Sequence, residues 1–203
     1  MIVAESAYEV SEPTIDAHVV RLKYSSADVL LSLATPKFAA QSIKRVSELD
    51  WRPLHFLPVV SSSVGATLAP AGIQNSQNVI SAAFLKDAMD PQWANDPGMR
   101  KYLEFLAKAM PGTDKSDGLL ETGYTTAQAV ELVLRRCGDD LTRENVMRQA
   151  ASLEHISLDL FLPGIEINTS PTDYDAIQDM QLVRFEGASW KLFGPLIREA
   201  PRE

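Results

Sequence analysis

A chain of 203 residues with 45% apolar side chains is long enough for one domain or two small ones and apolar enough for a proper core. Asp and Glu outnumber Lys and Arg 27 to 19, and the net charge of −8 argues against a nucleic-acid phosphate surface or an anionic membrane as partner, because neither gains by counterion release there. A single cysteine, Cys137, permits no internal disulfide and no cysteine-based zinc site, so no metal or other cofactor is expected from it.

The first residues, MIVAESAYEV, carry no positive n-region, no sustained apolar h-region and no small-residue cleavage site, and no later stretch has the length of a transmembrane helix. No signal peptide is expected in them. Residues 2–8 read as a strand that starts abruptly at the initiator. Ser11, Pro13 and Thr14 then supply helix-start chemistry before Ile15, Val19 and Leu22, which share a helical face. DVLLSLA, residues 28–34, is a continuous apolar run of the kind found in strands buried on both faces. Thr35 and Pro36 follow it as N-cap and N1 of a helix to about Leu49. Residues 54–60 begin a third strand-helix unit and residues 78–84 give a fourth apolar run, so a parallel sheet covered by helices is expected.

Beyond Asp87 three helices follow in succession. Asp96-Pro97 opens the first, which Pro111-Gly112 closes; the second runs from about Asp117 to Cys137, stopped by Gly138; Thr142 caps the third, ending near Leu153. Strands return at 165–167, 180–186 and 189–193, the last two joined as a hairpin at Glu186-Gly187-Ala188. Three segments are therefore expected: 1–86, a helical 87–155, and 156–203.

The usual catalytic signatures are missing: no G-x-S-x-G elbow, no phosphate-cradling G-x-x-x-x-G-K, no G-x-G-x-x-G and no H-E-x-x-H. His18, His55 and His155 lie far apart, with no carboxylate at ligand spacing. What remains is the carboxyl edge of the sheet, where ligands of open α/β folds bind and where a following helix offers free N–H groups. Thr35 ends the second apolar run there. Ser61, Ser62 and Ser63 end the third, with Gly65 letting backbone approach a ligand. The alternative reading, of equal weight, is that one serine caps a helix while the others fill a turn.

The stretch SAYEVSEPTIDAHVVRLKYSSADVLLSLATPKFAAQSIKRVSELDWRP resembles ABC-transporter solute-binding proteins of the leucine/isoleucine/valine-binding type. The likeness continues in order through Asn78–Asp87, GYTTAQAVELVLRRCGDDLTRENVMRQAASL and LPGIEINTSPTDYDAIQDMQLVRFEGASWKLFG. Asn78 stands where glycine is commonest before the crossover strand in that family, and Glu12-Pro13-Thr14 departs slightly from the Tyr-x-x-x-Asp-x-Asp segment that precedes a helix there. The resemblance implies an α/β, periplasmic-binding-protein-like type I fold: one parallel-sheet lobe lacking its first strand, plus a helical part of the other lobe. It implies a periplasmic, non-enzymatic protein that closes an interlobe cleft on a small solute and delivers it to ABC permease subunits. The resemblance implies that Thr35, Ser61 and Ser62 fall where the second lobe contacts ligand, with Ser63 beside them as a further ligand-binding candidate, and that Leu119 falls where an apolar side chain of the first lobe touches the solute's tail.

Branched-chain amino-acid binders place a carboxylate in the serine region to meet the ligand's ammonium, which hydroxyls cannot replace. An aliphatic or aromatic carboxylate is therefore expected rather than an amino acid. Relatives are nearly twice as long, so the resemblance implies a carboxy-terminal portion with half a cleft and weak binding on its own. It also implies a sheet with a gap at its centre, between residues 2–8 and 28–34. The same fold serves sensory and regulatory ligand-binding domains, which is the alternative function.

Overall fold

In the computed structural model, which describes residues 1–198, three short strands follow one another in parallel: β1 (Val29–Leu31), β2 (Leu54–Phe56) and β3 (Ile80–Ala83). Val29 pairs with Leu54, Leu31 with Phe56, and Phe56 with Ile80. The antiparallel-hairpin strands β4 (Asp179–Glu186) and β5 (Ser189–Arg198) complete a five-stranded order β1-β2-β3-β4-β5. Gly187 turns the hairpin with a φ of 65°, open to glycine without strain, and Gln77 holds it by accepting the Gly187 N–H and donating to its carbonyl.

The chain forms two units. Unit 1 comprises Met1–Ala82, Ser116–Gly118 and Val183–Phe193. Its helices are α1 (Asp16–Lys23) and α2 (Pro36–Glu48), the latter burying Phe38, Ala39, Ile43 and Val46 on one stripe. After β2 the chain makes a 3₁₀ turn at Val59–Ser61, a π turn at Val64–Leu68 and one short α turn, α3 (Ala69–Ala71), where a single longer helix was expected. Asn78 has a φ of 65°. That left-handed conformation is the physical reason a glycine suits this position, and asparagine is among the few other residues that adopt it readily.

Two sequence expectations for unit 1 are corrected. Residues 2–8 form no strand: their burial alternates, with Ala4, Ser6 and Tyr8 half-buried between exposed neighbours, but no ladder pairs them. The period of two was real; the partner strand was not. β1 is therefore the edge of the sheet, and its 28–34 run is buried on one face only. Leu30 and Ser32 point inward while Val29, Leu31 and Leu33 are 49%, 62% and 72% exposed, because no helix among the described residues covers that side.

Unit 2 comprises Ala83–Lys115, Leu119–Leu182 and the chain from Gly194 on. Helix α4 (Pro97–Ala109) opens on Asp96, whose Oδ1 accepts the Met99 N–H at 2.9 Å; α5 (Gly118–Cys137) stops at the left-handed Gly138; α6 (Arg143–Ala150) is capped by the Thr142 hydroxyl. Residues 156–182 belong with these helices rather than with the first segment, since Phe161, Leu162, Ile165 and Ile167 pack on Val133 and Leu153. Ile165–Ile167 forms isolated antiparallel bridges through Ile167, not a strand. No helix among the described residues is long and apolar enough to cross a membrane.

Candidate functional site

The ends of β1 and β2 place Thr35 and the serines at one carboxyl edge, as expected, but give the hydroxyls different work. Ser61 is wholly buried and donates its hydroxyl to the Ala34 carbonyl, tying the end of β2 to the end of β1. It faces protein, not a ligand. The half-buried Ser62 donates to the Val59 carbonyl at 2.7 Å, and its own carbonyl accepts the Trp190 indole N–H at 2.8 Å. Ser63 is an N-cap: its hydroxyl oxygen accepts the Ala66 N–H at 3.1 Å and the Gly118 N–H at 3.3 Å, while the hydroxyl donates to the Ser116 carbonyl at 3.2 Å. Gly65 also serves this internal contact. Its N–H donates to Ser116 at 2.8 Å, and a Cβ there would overlap the Ser116 hydroxyl, so the close approach is to the chain itself.

Thr35 differs from all three serines. It is exposed and occupies the N-cap position of α2, yet its side chain makes no capping hydrogen bond. The Thr35 backbone N–H donates instead to the Tyr8 phenol oxygen at 3.0 Å, and the Tyr8 ring lies 4.7 Å from that of Phe38. On α2 the Lys37 ammonium sits 4.9 Å from the Phe38 ring centroid. No carboxylate side chain occurs in residues 34–38 or 59–66. Hydroxyls, an ammonium and the positive end of a 13-residue helix make this edge favourable to negative charge.

Beneath the edge lies a neutral polar cluster. The His55 ring Nε2 is 2.8 Å from the Ser32 hydroxyl, which lies 3.3 Å from that of Ser42. Burial pushes the His55 imidazole down to about 4, so it carries no charge at neutral pH.

Leu119 is in unit 2, in the first turn of α5, and is 60% exposed. It lines an apolar depression of about 440 Å³ with Phe105, Met110 and Tyr124. Burial, followed by the neighbouring Asp159 carboxylate, raises the Tyr124 phenol above its ordinary value. Among the described residues no cluster of His, Cys, Asp and Glu could hold a metal ion. Tyr8, Ser116 and Trp190 are the neighbours of this edge that sequence reasoning missed. Only Tyr8 left a signal, the alternation of residues 2–8; the other two are distant in the chain.

The family model described as periplasmic binding protein matches residues 1–189. The chain belongs to this family. Periplasmic binding proteins are solute-binding receptors rather than enzymes, and the α/β fold with its parallel strands is that of the solved structures it matches. One is a branched-chain amino-acid ABC transporter protein of Thermus thermophilus with bound valine, 14% identical, with a TM-score of 0.74 over 92% of this chain and 50% of that one. A leucine-binding protein, LivK, of Thermotoga maritima MSB8 is 13% identical, with a TM-score of 0.69 over 94% of this chain and 50% of that one. A periplasmic binding protein of Burkholderia mallei is 14% identical, with a TM-score of 0.69 over 97% and 50%. The chain thus spans about half the length of these structures. No curated protein sequence matches it.

Proposed function

We propose that this periplasmic binding protein chain is part of the solute-binding component of an ABC importer. Its solute is a small aliphatic or aromatic carboxylate without an ammonium group, bound at the carboxyl edge of unit 1 and passed to the importer's permease subunits. The observation that carries the reading is the donor set: the exposed Thr35 hydroxyl at the start of α2, Lys37 beside it, and no carboxylate in residues 34–38 or 59–66. An amino acid brings an ammonium that this edge would leave unpaired, whereas a carboxylate meets hydroxyl, N–H and ammonium donors. Thr35 is the principal contact; Ser62 and Ser63, whose hydroxyl hydrogens go to the Val59 and Ser116 carbonyls, act with Ser61 as positioning residues that shape the edge. Leu119, on unit 2, is proposed as an apolar ligand contact in its own right. Unit 1 corresponds to one lobe of the two-lobed receptors and unit 2 to part of the other.

The test is an NMR titration of the chain with valine, 3-methylbutanoate and benzoate at millimolar concentration, which registers weak as well as tight binding. The amides of Thr35, Lys37, Phe38 and Ser62 should shift with the two carboxylates and not with valine. Shifts of equal or greater size with valine, or none with any of the three, would sink the reading.

A further inference from the structure

We infer that Tyr8 is a specificity-determining contact of this site, an inference that rests on the carboxylate reading above. Residues 1–14 form no regular secondary structure, yet they are held at defined points. The His18 ring on α1 reaches the Ser6 hydroxyl at 2.8 Å through Nδ1 and the Glu12 carboxylate at 2.9 Å through Nε2, clasping the segment on both sides of Tyr8. Glu9 and Glu12 close the loop between them: the Glu12 N–H donates to the Glu9 carbonyl at 3.0 Å, and the Glu9 N–H to the Glu12 carboxylate at 2.7 Å. That N–H, followed by His18, holds the Glu12 carboxyl below its ordinary value. Gln41 of α2 binds the segment's end, donating to the Pro13 carbonyl at 3.3 Å and accepting the Ile15 N–H at 3.1 Å.

This clasp delivers one side chain to the edge of the sheet. The Tyr8 phenol oxygen accepts the Thr35 N–H, and its ring is fixed against Phe38. A phenol that accepts one hydrogen bond retains its own O–H hydrogen as a donor, and no acceptor for that hydrogen is present among the described residues. Two hydroxyl donors, Tyr8 and Thr35, therefore stand next to each other at one strand end, joined by a hydrogen bond through the backbone of the second. The Thr35 side chain makes no capping hydrogen bond to the first turn of α2, so its hydroxyl too is available as a donor. A planar carboxylate with two acceptor oxygens fits that pair; a primary amide, with one acceptor and an NH₂ donor, matches only half of it.

The experiment compares 3-methylbutanoate with 3-methylbutanamide by NMR titration of the parent chain and of Tyr8→Phe, which keeps the ring on Phe38 and removes only the oxygen. Affinity for the carboxylate should fall roughly ten-fold, the range of one hydrogen bond to a charged group. Affinity for the amide should change by about two-fold or less, so the preference between them collapses. His18→Leu, which opens the clasp without touching Tyr8, should shift the preference in the same direction by less, and it replaces Tyr8→Phe should that variant not fold. An equal loss for both solutes marks a merely structural role and overturns the inference, as does an unchanged ratio. Absence of any shift at Thr35 in the parent chain overturns the carboxylate reading itself, and the role of Tyr8 with it.

Discussion

The two units bury polar groups of different kinds. In unit 1 the buried polar side chains are neutral, among them Ser32, Ser42, His55, Ser61, Ser76 and Ser81, whereas unit 2 buries Lys86, Asp90 and Glu121. The hydroxyls of unit 1 donate mostly to backbone carbonyls: Ser61 to Ala34, Ser76 to Gly72, Ser81 to Leu57. The charges of unit 2 bind an opposite charge or backbone groups of other segments. Lys86 donates to the Asp96 carboxylate at 2.8 Å and to the Asp159 carbonyl at 3.0 Å, and Glu121 accepts the Ala88 N–H at 2.7 Å. Hydroxyls tie strand ends at little desolvation cost and leave an edge that can face a solute. Charges fix helices and loops more rigidly, but each depends on its partner staying in place.

Each unit also has a glycine where a distant part of the chain passes too close for a side chain, Gly65 in unit 1 and Gly98 in unit 2, and substituting them should give the largest contrast. A Cβ on Gly98 would overlap the backbone carbonyl of Asp159, which Lys86 holds, so Gly98→Ala should destabilise unit 2 by about 3 kcal/mol or more. On Gly65 the first obstacle is the Ser116 hydroxyl, with the Ser116 backbone farther off, so Gly65→Ala should cost unit 1 roughly 1–2 kcal/mol. Hydrogen exchange at Leu106 in unit 2 and Ile43 in unit 1 reads the two separately. Equal losses would mean that the contacts of unit 2 are no stiffer than those of unit 1.

Acid should separate the units next. A His55 imidazole at about 4 in the fold, against 6.5 as its ordinary value, favours the unfolded state once protonated. Its contribution is intact above pH 6.5 and is lost as the pH falls from 6.5 to 4, by about 3 kcal/mol in all. Asp96 behaves otherwise. Desolvation alone would raise its carboxyl, but the hydrogen bonds from Lys86 and the Met99 N–H outweigh that and hold it below the ordinary 3.8. The stability it adds is present above 3.8 and disappears only as the pH drops through its lowered value. Acid titration followed by hydrogen exchange should therefore open unit 1 first, and His55→Gln should remove the slope between pH 6.5 and 4. Earlier loss of protection in unit 2 would break the comparison.

Unit 2 was the more legible in sequence because its elements announce themselves locally: Asp96-Pro97, Gly138 and Thr142 each bring the residue type that their helix end requires. Unit 1 depends on partners that local patterns do not name. The alternation of residues 2–8 predicts extended chain but not whether a strand lies alongside, and the apolar run 28–34 predicts a strand but not how many of its faces are covered. The serines were readable as a strand end. Their separate hydrogen-bond partners were not, since Ala34, Ser116 and Trp190 lie 27, 53 and 128 residues from them.

The smallest expected effect sharpens the contrast most directly, since it compares two threonines in the same nominal position. Thr35 and Thr142 are both N-cap residues with extended backbone, at ψ 160° and 148°. The Thr142 hydroxyl accepts the Asn145 N–H and so satisfies a donor of the first turn of α6; Thr142→Ala should cost about 1 kcal/mol. The Thr35 hydroxyl satisfies no donor of α2, and the Thr35 N–H is met by Tyr8, so Thr35→Ala should change thermal stability by no more than a few tenths of a kcal/mol. On the proposed carboxylate reading, the same substitution should nevertheless weaken 3-methylbutanoate binding, because the exposed hydroxyl, unused by the helix, would donate to the solute. Urea titrations of both variants measure the first half, and the NMR titration the second. A Thr35→Ala loss as large as that of Thr142→Ala would assign Thr35 to helix capping and leave the edge of unit 1 without its principal hydroxyl.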